Sequence, residues 1–197
     1  MTPPGPTPGP SPRLRRIAAG IWGGFMLARG RDDGMAVIDT SPAGAWASFA
    51  AMWICAPAWL AMHLLVGGDG EASFRGAASQ AIGYVLDWFA FPVLMASITD
   101  QMGRRPHFPG FVAAWNWASV PQILVALGAA AIGALPFIPR PIGGVLSLAA
   151  MGYAFWVAWF VAKTALDTSG PKAAFVVAAG VVLGLFIDGF ALTIGRG

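Results

Sequence analysis

Read for the alternation of apolar and polar positions, the chain divides into one short amphipathic stretch and five long oily ones. Leu14, Ile17, Ala18, Ile21, Trp22, Phe25 and Met26 recur at steps of three and four, which is the stripe of a helix with one apolar face. Arg13, Arg15 and Arg16 open this stretch, and Arg29 and Arg31 close it. It is too short and too charged at its ends to span a bilayer. The expectation is a helix lying in the membrane surface with its arginines against anionic headgroups, and packing against the bundle is the alternative. Gly20, Gly23 and Gly24 weaken it, each by about 1 kcal/mol of helix propensity.

The oily runs cover 43–66, 79–97, 111–135, 141–163 and 173–194. Each approaches the ~20 residues that cross a hydrocarbon core as a helix. Ser41-Pro42 sets a capping serine before a first-turn proline, and Pro141 and Pro171 mark two further helix starts. The connections are 67–76 (GGDGEASFRG), 100–110 (DQMGRRPHFPG), 136–141 and 167–172 (DTSGPK). This pattern predicts an all-α integral membrane bundle of five transmembrane helices preceded by an amphipathic interfacial helix. Residues 1–12 (MTPPGPTPGPSP) read as a disordered proline-rich tail, 13–42 as the surface helix and its connector, and 43–197 as the five-span domain.

Composition agrees. Hydrophobic residues make up 57% of the chain and charged ones 11%, against about 25% charged in soluble domains. The net charge of +3 does not point to nucleic acid, because the basic residues sit between spans. With a cytoplasmic N-terminus, nine lysines and arginines fall on the inner side and three (Arg75, Arg140, Arg196) on the outer. That bias predicts the inner membrane of a bacterium, N-terminus cytoplasmic and C-terminus periplasmic. Trp46, Trp115, Trp117 and Trp159 fall near the inner ends of their spans, where an aromatic belt belongs. No secretory signal peptide is expected at the proline-rich start. The lone Cys55, inside a span, provides for no disulfide, thiol pair or zinc cluster.

Several polar groups are sunk in these runs. Gln80, Tyr84 and Asp87 share one face of the second span, and Asn116, Ser119 and Gln122 interrupt the third. Asp188 lies in the last span and His63 near the outer end of the first. A carboxylate at mid-bilayer costs about 2.5–3.5 kcal/mol on insertion scales, so Asp87 is expected to look into protein or water. Asp87, Asp188 and His63 are a candidate proton path; the alternative makes each a structural hydrogen-bonding residue. Trp53, Trp88 and Trp117 each precede a proline by four, at Pro57, Pro92 and Pro121, which frees three tryptophan carbonyls. Kinks are the simpler consequence, and coordination of a cation the sharper one. Gly180 and Gly184 allow close helix packing. Arg13, Arg15, Arg16, Arg104 and Arg105, the last two near His107, are candidate lipid headgroup contacts.

Zinc-protease, nucleophile-elbow and Walker motifs do not occur, and no catalytic residue, metal site or cofactor is predicted. The AAWNWASVPQ stretch entering the third span, the short third-to-fourth connection and the LDTSGPKAA turn before the last helix resemble bacterial relatives of the Yip (Ypt-interacting protein) family, over about 39–194. The DLYGP signature of the eukaryotic members is absent. The resemblance implies a five-span membrane protein acting through partners or lipids, and it transfers no functional residue. The sequence therefore favours a non-enzymatic scaffold or partner- and lipid-binding subunit, with membrane lipids and a protein partner or second copy as its contacts. The alternative is a small oligomeric transporter or proton-coupled permease using Asp87 and Asp188.

Overall fold

The computed structural model describes residues 11–66 and 74–196. Eight α-helices occur among them: α1 (Pro12–Leu27), α2 (Gly34–Val37), α3 (Pro42–Ser48), α4 (Ala50–Val66), α5 (Phe74–Gln101), α6 (Phe108–Gly133), α7 (Arg140–Ala165) and α8 (Gly170–Arg196). Five stretches are long and apolar enough to cross a membrane: α3 with α4, then α5, α6, α7 and α8. Leucines, valines and phenylalanines such as Leu64, Val93, Leu148 and Phe186 stand outward from them, as lipid-facing side chains do. The chain is a multi-pass integral membrane protein. All but Ser11 and Pro12 of the expected tail, and most of the 67–76 connection, lie outside the described residues.

The helix boundaries follow local chemistry. Ser11 and Ser41 each accept a backbone N–H of the first turn, from Leu14 at 3.4 Å and from Gly44 at 3.1 Å, with a proline next in line. Gly30 and Gly103 take positive φ where α1 and α5 turn away. After α7 that left-handed position is held by Asp167, and the Thr168 N–H reaches back to the Lys163 carbonyl at 3.1 Å. The first span, expected to be continuous, is interrupted at Phe49 between α3 and α4.

Helix α6 is the hub. More than half of its apolar stretch is buried, and under a third of any other span's. It packs on α7, α4, α3 and α1. Packing is densest along its first half, where Phe111, Ala113, Ala114 and Ala118 are fully buried. Near its far end Gly133 brings its backbone against Gly143 of α7, so this hairpin closes on two glycines.

Helix α1 docks on this hub, and its glycines are the reason. A β-carbon on Gly20 would overlap the Trp117 ring, and one on Gly24 would overlap the Trp117 carbonyl. The residues that weaken the helix in isolation are therefore its contact face. Ile17, Ile21 and Phe25 pack beside them, while Leu14 and Trp22 of the same stripe remain exposed. Packing against the bundle, the alternative in the sequence, thus describes one side of α1. Arg16 pairs with Asp39 at 3.0 Å and Tyr153 of α7 donates to the Ala28 carbonyl at 2.9 Å, fixing both ends. Trp117, expected in the aromatic belt, is only 2% exposed because α1 covers it.

Helices α5 and α8 form a second, antiparallel pair. Gly83 faces Ile187 and Ala191, while Gly180 sits under the Phe91 ring. Contact between α5 and α6 is sparse by comparison. The space left between the pair and the hub is where the polar residues of the spans collect.

Candidate functional site

A cavity of about 380 Å³ lies between α4, α5, α6 and α8. Asp87, Tyr84 and Gln80 reach it from α5, Asn116 and Ser119 from α6, Asp188 from α8, and His63 from α4. At 1.5 Å per residue, Asp87 stands about 20 Å from either end of its helix. The α5–α8 register, with Gly83 against Ile187, puts Asp188 on the same cavity. No ion pair among the described residues engages either.

Gln122 does not join them. It is not among the residues that line the cavity, and its amide donates to the Ala118 carbonyl at 3.1 Å, one turn back on its own helix.

Several of the gathered groups also hold the walls together. The Tyr84 hydroxyl donates to the Met52 carbonyl at 2.6 Å and so ties α5 to α4. Asn116 donates to Ser48 at 2.9 Å, and Ser119 to the Trp115 carbonyl at 3.1 Å. The His63 Nδ1 lies 3.1 Å from the Trp59 carbonyl, a bond it makes by donating, with its ring against the Trp59 indole. Among the described residues no such hydrogen bond engages the Asp87 or Asp188 carboxyl.

The sequence reading missed the aromatic wall. Trp59 and Tyr84 meet at 4.7 Å between ring centroids, Tyr84 and Trp88 at 6.2 Å, and Phe91 and Trp115 at 4.4 Å. Trp59, Tyr84, Trp88, Phe91 and Trp115 all line the cavity, with Cys55 at its edge. A signal was present: Tyr84, Trp88 and Phe91 recur at helical steps on the face that carries Asp87.

The three freed tryptophan carbonyls do not form one site. Of these tryptophans only Trp88 lines the cavity; Trp53 is 72% exposed, and the Trp117 carbonyl is covered by Gly24. The prolines sit inside helices that continue through them.

The candidate headgroup arginines divide. Arg16, Arg104 and Arg105 pair with Asp39, Asp167 and Asp100 at 3.0, 3.3 and 3.3 Å, and Arg13 and Arg15 are exposed without an ion pair among the described residues. The Arg104–Asp167 pair joins the α5–α6 and α7–α8 connections, so both lie at one end of the bundle. Fold and site together define a five-helix membrane bundle around an acidic, aromatic cavity. Compared with models of protein families, with curated proteins and with solved structures, the chain has no significant match. The Yip resemblance rests on its sequence features alone.

Proposed function

We propose that this protein is a small permease of a bacterial inner membrane that takes a solute into the cavity and couples its passage to protons. One observation carries the reading: Asp87 and Asp188, the two carboxyls well inside spans, line the same cavity, and among the described residues neither has a cationic partner. Intramembrane acids are expensive, and those that face a cavity mark ion and proton pathways by default. A positively charged or protonated occupant offsets the cost that the fold leaves standing. Gly184 and Pro92, the latter inside the continuous α5, line the wall. The N-terminus faces the cytoplasm on the arginine bias, with the docked α1 at that side.

The scaffold reading, related to the Yip resemblance, keeps the arginine-flanked helix and the short loops as its support. The cavity has no part in it, which is why it ranks second.

Proteoliposomes carrying an imposed pH gradient test the proposal. They are incubated with a pool of small solutes from a bacterial extract, and their contents are read by mass spectrometry alongside internal pH. Solute uptake with proton movement that disappears in Asp87→Asn supports a permease. Contents and proton movement identical to protein-free vesicles sink it.

A further inference from the structure

We propose, building on the permease reading, that the occupant of the cavity is an organic cation: an amine or quaternary centre on a compact apolar body. The charge comes first. Asp87 and Asp188 face the space, and among the described residues no lysine or arginine lines it. His63, Tyr84 and Cys55 are the other titratable side chains there. An anion would meet two carboxyls with nothing to balance them.

The walls then narrow the class. Five aromatic side chains line the same space as the carboxyls, with Trp59, Tyr84 and Trp88 in series and Phe91 against Trp115. The faces of such rings attract cations, and a ring of them is the usual receptor for quaternary ammonium groups. A hard metal ion is a poor fit, because it wants six or more oxygen ligands, while much of this wall is indole and phenyl. The volume of about 380 Å³ falls in the lower part of the ~300–1,000 Å³ range of small-molecule sites. Gly184 leaves room as well: a β-carbon there would meet nothing within 4 Å.

The test uses the full chain in lipid nanodiscs, with empty nanodiscs as blank. Three probes of similar shape differ in charge: tetraphenylphosphonium, neutral triphenylphosphine oxide and anionic tetraphenylborate. Saturable binding of the cation is expected, read by calorimetry and by quenching of tryptophan fluorescence. Asp87→Asn and Asp188→Asn should each weaken it about ten-fold, and Trp88→Leu several-fold. Gly184→Leu, which fills open space, should abolish it while the thermal transition is retained. Binding of the neutral or anionic probe as tight as that of the cation overturns the inference, and so does cation binding indifferent to both Asn variants. Extract-driven uptake without cation binding leaves the permease and removes the organic cation. Cation binding without any flux in proteoliposomes leaves the site and removes the permease. Absence of both removes both.

Discussion

The side-chain amide of Asn116 donates to the hydroxyl of Ser48 at 2.9 Å, and the Ser48 hydroxyl in turn donates to the Ala45 carbonyl at 2.6 Å. Both residues are buried. This pair joins the central helix α6 to the short α3, just before the break at Phe49. A polar residue that lines the cavity is thereby also a clamp.

Ser48→Ala leaves the buried amide hydrogen without its partner and should cost about 1–3 kcal/mol. Combining it with Asn116→Leu should cost less than the sum of the two single changes, because the second removes the orphan that the first creates. Thermal unfolding in a fixed detergent measures the coupling, and strict additivity would show that the bond contributes nothing.

Gly24→Ala should undock α1. The added methyl meets the Trp117 carbonyl, which is backbone and cannot swing aside. Overpacking of this kind costs about 1–3 kcal/mol. Trypsin should then cut at Arg13, Arg15 and Arg16 markedly faster than in the parent, while an alanine at exposed Trp22 leaves the rate unchanged. Equal rates for Gly24→Ala and the parent would argue against the docked helix.

Asp39 makes the docking of α1 sensitive to acid. Hydrogen bonds from Ser41, through its hydroxyl and its backbone amide, and the charge of Arg16 hold this carboxyl below the ordinary range. A depressed folded value stabilises the folded state above the unfolded value of about 3.9. That contribution is lost as the pH falls through the folded value. Proteolysis of α1 should therefore accelerate below about pH 4, and Asp39→Asn should be equally fast at neutral pH. An unchanged rate across that window would refute the role of Asp39.

Asp167→Gly should be nearly neutral. It relieves the left-handed backbone at φ 45 and loses the exposed pair with Arg104, and the two effects cancel to within about 1 kcal/mol. Asp167→Val keeps the strain, adds a branched side chain, loses the pair and should lower the melting temperature. If valine is tolerated as well as glycine, the turn after α7 is not held in this conformation.

The span count and most boundaries were legible because oily length and proline–serine punctuation are local properties. Ser41-Pro42, Pro141 and Pro171 stand at helix starts as read. The break at Phe49 was not legible: the hydropathy of that run is continuous, and the interruption lies where Ser48 meets Asn116. Helix periodicity put Gln80, Tyr84 and Asp87 on one face, and they remain together. Gln122, also among the polar residues that interrupt the third span, bonds back to the Ala118 carbonyl and is not among the residues that line the cavity.

What the sequence determined by itself is the class of molecule, five greasy helices with basic connections, since the cost of putting backbone and charge into hydrocarbon leaves few other solutions. Tertiary structure alone decided that Asp87 and Asp188, about a hundred residues apart, share one cavity. It also decided that Gly20 and Gly24 are a docking face and that five aromatics line the cavity with the acids. Those facts depend on the register between helices, which is set by shape at each contact and written in no single stretch of the chain.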